Sequence, residues 1–220
     1  MPELKIKRKL FRTVGLLFPA LYAAGDAARA GAGWIAACAV LTVFLLVMFA
    51  LEYARFRSPG VNRWLFSHFS GFTKEKERER TSSTTLFLLS CLLAILIFDK
   101  AVAIAAMLML VFGDPVAEMI GVRWGRVPLL GKTLEGTLGG LAACLIASAP
   151  LAATSMGPSP LVLAAGAAAA ALFELIPLPI DDNFSIPLGA GAVMTLVQAL
   201  PAAGGTGVLV MSPLLEGILR

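Results

Sequence analysis

The stretch WIAACAVLTVFLLVMFALEY, residues 34–53, is a continuous apolar run with a single charged residue. An α-helix needs about 20 predominantly apolar residues to cross the hydrocarbon core of a bilayer. The run does not alternate between apolar and polar residues, as a strand of a membrane barrel would. A helix also bonds all of its backbone polar groups internally, which lipid requires. The stretch therefore predicts a membrane-spanning α-helix.

The composition of the whole chain agrees with this interpretation. Of its 220 residues, 58% are hydrophobic and 15% are charged, and the mean hydropathy is +0.85. A soluble domain of this size cannot bury so much apolar surface in one core. We therefore predict an all-α, polytopic integral membrane protein in which residues 1–220 form a single transmembrane domain.

Further apolar runs bring the predicted number of transmembrane helices to about seven. The apolar tail after Gly204 is interpreted as an interfacial helix or as part of an eighth span. Asp99 and Lys100 form a predicted tight turn between two spans. The predicted spans are 11–28, 34–53, 84–98, 101–124, 136–155, 161–176 and 184–203.

Basic residues determine the predicted orientation, because loops rich in lysine and arginine stay on the cytoplasmic side. Of the 18 lysines and arginines, 15 lie before or at the start of the first span, between spans two and three, or from the end of span four to the start of span five. This places the N-terminus and these loops in the cytoplasm. No small-residue cleavage site follows the basic N-terminus, so we predict a retained end and not a signal peptide. Membrane topology accounts for the basic residues, and no nucleic-acid partner is expected.

The cytoplasmic loop at 54–83 has two predicted parts. Leu65, Phe69 and Phe72 recur at i, i+4 and i+7 beside Trp64, which predicts an amphipathic helix in the membrane interface. The run KEKERER, residues 74–80, alternates in charge and predicts a solvated helical face.

Carboxylates occur where a membrane span should be apolar, in the segment GDPVAEMIG, residues 113–121. Asp114, Glu118 and Gly121 are spaced i, i+4 and i+7 and share one helical face. Intramembrane carboxylates are costly and mark functional sites by default. Pro115 removes a backbone donor beside Asp114. The alternative is a purely structural polar contact, which explains one such carboxylate better than two.

The following loop, GRVPLLGKTLEGT, combines glycines with a lysine and a hydroxyl. Its glycine spacing differs from that of a Walker loop, and no predicted strand precedes it, so a P-loop fold is excluded. Gly131 and Gly136 allow close backbone approach, Lys132 supplies a point charge and Thr133 a hydroxyl, which suit a polyphosphate. Glu135 pairs with a cation or positions Lys132. Alone, the segment also fits an ordinary basic loop.

A third polar segment, LIPLPIDDNFSIP, separates spans six and seven. Asp181, Asp182 and Asn183 offer the oxygen ligands that Mg²⁺ prefers, alongside substrate phosphates. The alternative is a helix N-cap. Glu174 precedes the segment and either joins the site or extends to the interface. The single histidine and the three cysteines, which lie in apolar runs, leave little for a His- or Cys-based metal site or a Ser-His-Asp triad.

Taken together, these segments resemble the CTP-dependent polyprenol kinase family, the group of dolichol kinase, phytol kinase and CTP-dependent diacylglycerol kinase. The resemblance covers nearly the whole chain and rests on four elements in order, KRKLFRTVGLLFP, GDPVAEMIG, GKTLEGT and PLPIDDNFSIP. One position departs from it. Family members often have histidine where this chain has Arg12, which cannot serve as a base near neutral pH but can bind phosphate.

The resemblance implies transfer of the γ-phosphate of CTP to the hydroxyl of a membrane lipid, either an isoprenoid alcohol of the dolichol, polyprenol or phytol kind or diacylglycerol. It implies that Asp114 is a base or a metal ligand, and that Asp181 and Asp182 hold Mg²⁺ with help from Asn183. Lys132 and Glu118 complete the predicted catalytic set. The predicted nucleotide-binding residues are Arg8, Lys9, Gly113, Gly121, Arg123, Gly131, Thr133, Glu135 and Gly136.

Other functions remain open at this stage. A phosphatidate cytidylyltransferase-like enzyme would use the same nucleotide and metal but transfer the nucleotidyl group. A small ion- or proton-coupled transporter would use Asp114 and Glu118 as a relay. All acidic motifs are predicted on the cytoplasmic side of the membrane, however, whereas a transport path needs polar residues through both leaflets.

Overall fold

The computed structural model describes residues 14–28, 32–69, 75–154, 157–200 and 212, and this part of the chain is mostly helical. Short 3₁₀ turns occur at Val14–Leu16 and Glu75–Arg78. The α-helices are α1 (Leu17–Ala28), α2 (Ala32–Arg57), α3 (Pro59–His68), α4 (Ser83–Ile97), α5 (Lys100–Trp124), α6 (Leu134–Ala152), α7 (Pro160–Leu175) and α8 (Asp182–Ala199).

The described residues fit the all-α prediction apart from a small β-hairpin between α5 and α6, which was not predicted. Strands β1 (Pro128–Leu129) and β2 (Lys132–Thr133) pair antiparallel. The two turn residues, Leu130 and Gly131, have φ angles of 49° and 84°. Two consecutive left-handed residues make the tight turn that matches the twist of a two-residue hairpin. Gly131 adopts this conformation readily, whereas Leu130 does so against its preference.

In the part of the chain that the structure describes, three helices, α2, α5 and α6, are long and apolar enough to cross a membrane. The segment Val14–Ala24 and the helices α4 and α7 are also apolar but shorter, with 10–17 residues. The prediction of about seven spans therefore stays a prediction, as does the cytoplasmic N-terminus. The tight turn at Asp99 is confirmed, because its side chain accepts from Ala101 N at 3.1 Å and caps α5.

The loop between α2 and α4 differs in detail from its prediction. Helix α3 occupies its first part, but among the described aromatic residues there Phe66 is buried, while Trp64 and Phe69 are exposed. Phe72 lies outside the described residues. In the charged run that follows, Glu77 is buried, so the expected fully solvated face is wrong at this residue. The location of α3 in the membrane interface stays a prediction.

Helix α5 lies at the centre of the described fold. In an apolar stretch of 18 residues from each helix, 67% of the residues are buried in α5 but only 17% in α2. Helix α2 exposes most of its large apolar side chains. Exposed apolar side chains on a spanning helix are those that lipid would solvate. Cys91 and Cys144 are buried free thiols in this core, as expected for small apolar residues.

Glycines allow α5 and α6 to approach closely. A Cβ atom on Gly140 would lie 2.8 Å from Ala117 Cβ, and one on Gly136 would lie 2.8 Å from Ala117 O. A Cβ atom on Gly113 would collide with Cys144 Sγ. Small residues at such crossings are typical of helices packed in a membrane, where close van der Waals contact drives association.

We expect Gly113→Ala to destabilise the protein by about 1–3 kcal/mol, because the added methyl overpacks the α5–α6 crossing. The collision is with one sulfur atom, so Cys144→Ala should create the room that the methyl needs. Thermal unfolding in detergent would compare the two single variants with the double variant. A double variant no more stable than Gly113→Ala alone would contradict this account of the crossing.

Candidate functional site

A small cleft with room for about one water molecule lies between α5, α6, α7 and α8. Most of its lining is apolar or glycine, but Asp114, Thr137 and Glu174 also line it. Both carboxylate residues are only 8% exposed. Burial of two acidic side chains around one space is energetically expensive unless cations, protons or hydrogen bonds compensate for it. The cleft is therefore the strongest candidate for a chemical site in the described residues.

Lys132 joins the hairpin to this cleft. Its Nζ lies 2.8 Å from Glu174 Oε1 and 3.4 Å from Asp182 Oδ2, and it also donates to the backbone carbonyl of Glu174. The lysine side chain is one-third exposed, while that of Glu174 is 10% exposed. The structure thus brings together the Gly-Lys-Thr segment, the end of α7 and the start of α8. Glu174, which the sequence left between two roles, joins the site.

Asp181 acts as the N-cap of α8. Its Oδ1 accepts from the backbone N–H of Asn183 at 3.1 Å and also from the Asn183 side-chain amide. Its Oδ2 lies 3.1 Å from Ser83 Oγ, at the start of α4. The capping interpretation of this segment is therefore correct for Asp181, and such a cap contributes about 1 kcal/mol.

The segment also fits a Mg²⁺ ion held largely by substrate phosphates. The Asp182 side chain is 37% exposed, and its Oδ2 lies 3.4 Å from Lys132 Nζ, so one accessible carboxylate lies beside the lysine. Mg²⁺ commonly takes one or two protein carboxylates and completes its shell with phosphate oxygens and water. Within the described ranges, no three His, Cys, Asp or Glu side chains come together as a self-sufficient metal cluster. Magnesium binding by Asp181, Asp182 and Asn183 stays a prediction.

A proline inside α8 leaves a backbone carbonyl free for a hydrogen bond from α4. Pro187 has no N–H, so the carbonyl of Asn183, four residues earlier, receives no helical hydrogen bond from it. Ser90 Oγ donates to that carbonyl at 2.7 Å. The buried Asn183 is thereby held from the neighbouring helix.

The remaining residues of the Gly-Lys-Thr-Leu-Glu-Gly segment have structural contacts. Thr133 caps α6 by accepting from Gly136 N at 3.2 Å. Glu135 accepts from the backbone N–H groups of Arg126 and Val127 at 3.0 and 3.2 Å, which closes the loop. A Cβ atom on Gly121 would lie 2.9 Å from Thr133 Oγ1. Nucleotide contact by these residues and by Gly113 and Gly131 stays a prediction.

The other predicted residues lie around or beyond the cleft. Glu118 is half-buried one turn after Asp114. Arg123 is exposed, with its guanidinium 5.3 Å from the centre of the Trp124 ring. Arg8, Lys9 and Arg12 lie outside the described residues, as does the tail after Gly204 except Ser212, whose N–H donates to Ile97 O at 3.1 Å.

Sequence reasoning missed a buried ion pair at the end of α2. Glu52 and Arg55 are 6% and 4% exposed, and Arg55 Nε donates to Glu52 Oε2 at 2.9 Å. A signal was present, because Glu52 lies in the apolar run that defines α2 and Arg55 follows it at i+3. Opposite charges at this spacing lie on one helical face.

Comparison with known proteins finds distant relatives of most of the chain. An uncharacterized protein of Rickettsia prowazekii is 25% identical over 189 residues, which cover 83% of this chain and 89% of that protein. CTP-dependent diacylglycerol kinase 1 of Schizosaccharomyces pombe is 24% identical over 174 residues, 72% of this chain and 80% of the kinase. No family model matches the chain, and no solved structure matches it.

Proposed function

We propose that this chain is a membrane lipid kinase that transfers the γ-phosphate of CTP to the hydroxyl of a lipid alcohol, either diacylglycerol or an isoprenoid alcohol. The observation that carries the proposal is the cleft, where Asp114 and Glu174 are buried and Lys132 connects Glu174 to Asp182. The similarity to a CTP-dependent diacylglycerol kinase supports the nucleotide and the lipid class. The apolar helices support a membrane location with the lipid bilayer as partner.

In the proposed reaction, the lipid hydroxyl oxygen attacks the γ-phosphorus of CTP, and the bond to the β–γ bridging oxygen breaks. CDP leaves, and the hydroxyl proton passes to Asp114. Phosphoryl transfer depends mainly on positioning and on neutralisation of charge. Lys132 is proposed to supply that charge, together with Arg123, Arg8 and Lys9. Bound Mg²⁺ would neutralise phosphate oxygens, with Asp182, Asp181 and Asn183 as the residues proposed to hold it.

The proposal places the reacting groups on the cytoplasmic face, where CTP is available. It draws on the basic residues of the N-terminus, of the loop between α2 and α4 and of the loop between α5 and α6, and on the predicted topology. The lipid hydroxyl would approach the cleft from the membrane through its apolar lining.

The test is phosphoryl transfer by the purified protein in lipid micelles with Mg²⁺, using CTP labelled at either the γ- or the α-phosphate. The acceptors are diacylglycerol, polyprenols, phytol, geranylgeraniol and phosphatidate. Label in lipid from γ-labelled CTP alone is the expected result, and the acceptor identifies the substrate. Label from α-labelled CTP alone would indicate a cytidylyltransferase instead. No label from either nucleotide, with ATP also inactive and the protein folded, would contradict the enzyme proposal and lead to ion-flux assays.

A further inference from the structure

The buried pair Glu52–Arg55 binds the segment that leads into α4 and includes its first residues. Arg55 Nη1 donates to Glu77 O at 2.7 Å, and Nη2 donates to Arg80 O. Glu52 Oε1 accepts from Ser82 N at 2.9 Å and from Thr85 Oγ1 at 3.2 Å. One ion pair thus satisfies polar groups along residues 77–85, which we call the anchored segment. This use of both charges explains why the pair can be buried.

The anchored segment leads directly to the candidate site. Its Ser83 hydroxyl lies 2.7 Å from Glu77 Oε1 and 3.1 Å from Asp181 Oδ2, so its proton is placed between two carboxylates. Asp181 in turn caps α8, and the next residue, Asp182, lies 3.4 Å from Lys132 Nζ. These contacts, joined through Glu77 and through the peptide bond from Asp181 to Asp182, therefore connect the end of α2 to the lysine beside the cleft.

We propose that Arg55 is a positioning residue, which fixes the anchored segment so that Ser83 holds Asp181 and the start of α8 beside Lys132. Its effect on transfer rests on the proposed function, whereas its hold on the anchored segment does not. Arg55 is far along the chain from Asp181, and the described contacts give it no direct bond to the cleft. It therefore acts through the segment and not on the substrate.

The chain offers a matched control in Arg57, which lies on the same helix two residues later. Arg57 is exposed, and its guanidinium lies 5.6 Å from the centre of the Tyr53 ring. Ser83 offers a second control, because Ser83→Thr keeps the hydroxyl that Ser83→Ala removes. The readouts are trypsin cleavage after the exposed Arg78 or Arg80, and the separate KM and kcat values for MgCTP, with full-length protein in micelles.

We expect Arg55→Ala to speed cleavage of the anchored segment at least about tenfold, since loss of one buried partner opens the local structure. Arg57→Ala should leave cleavage unchanged. Arg55→Ala and Ser83→Ala should each raise the KM for MgCTP about tenfold, the loss expected for a hydrogen bond to a charged group, with a smaller change in kcat. Ser83→Thr should restore the KM.

Cleavage of Arg55→Ala at the wild-type rate would overturn the proposal that Arg55 fixes the anchored segment. Faster cleavage with an unchanged KM in both variants would overturn the link to the site. If the wild-type protein transfers no phosphate, the proposed function fails, and the link is decided by thermal unfolding of Arg55→Ala, Ser83→Ala and the double variant. Non-additive effects would then support the link, and additive effects would overturn it.

Discussion

The Asp114→Asn variant is expected to lose lipid phosphorylation by about 10²–10⁴-fold, the range that a positioned general base contributes. The substitution preserves the shape of a side chain that is 8% exposed in the cleft, but an amide cannot take the hydroxyl proton. Replacing a buried carboxylate by a neutral amide also removes a desolvated charge, so the fold should be retained. Labelled transfer from γ-CTP measures the first effect and thermal unfolding the second.

Asp99→Asn provides the matched control for this variant. Asp99 caps the opposite end of the same helix, and asparagine caps helices about as well as aspartate. This control should keep both its stability and its activity. Transfer at the wild-type rate by Asp114→Asn would remove Asp114 from the proposed chemistry, whichever way the control behaves.

The Lys132→Met variant is expected to lose stability and nucleotide binding together. It leaves the Glu174 carboxylate, 10% exposed, without its 2.8 Å cationic partner. Because the lysine is one-third exposed, water screens part of the loss, and we expect about 1–3 kcal/mol. The same cation is proposed to meet the phosphates of CTP, so the KM for MgCTP should rise at least about tenfold.

The double variant Lys132→Met/Glu174→Gln separates the two effects. An amide at position 174 needs no counter-charge, so the double variant should recover stability without recovering transfer. Thermal unfolding of the four proteins forms a double-mutant cycle, and kinetics follow in parallel. A double variant as unstable as Lys132→Met alone would show that the ion pair has no energetic importance.

The helices were predictable because their signals are local. Long apolar runs predicted the positions of α2 and α4–α8, and the predicted turn at Asp99 and Lys100 marked the start of α5. Predicted and observed helix ends differ where no local signal is strong. Helix α2 continues to Arg57, four residues past its predicted end. Its charged residues Glu52 and Arg55 can be buried there because they pair with each other and no longer need water. The hairpin was missed because Leu-Gly is a weak turn signal compared with Asn-Gly.

The candidate site was only partly predictable, since its contacts join distant parts of the chain. The sequence identified Asp114, Lys132 and Asp182 as polar residues in unexpected places. It did not show that Glu174, 42 residues from Lys132, would bind that lysine. It also predicted nucleotide contact for Gly113, Gly121 and Gly136, which stays a prediction. The close approach of α5 to α6 that these glycines allow was not foreseen.

Pro187 has a consequence for how this sequence can change over time. Its missing N–H leaves the Asn183 carbonyl to Ser90, so the hydroxyl at position 90 is useful because of a residue on another helix. A descendant that lost the proline would regain the intrahelical bond and release position 90 from selection. A descendant that lost the hydroxyl would retain an unsatisfied carbonyl in its interior. Positions 90 and 187 are thus expected to vary together among homologues, although the hydrogen bond itself joins Ser90 to Asn183.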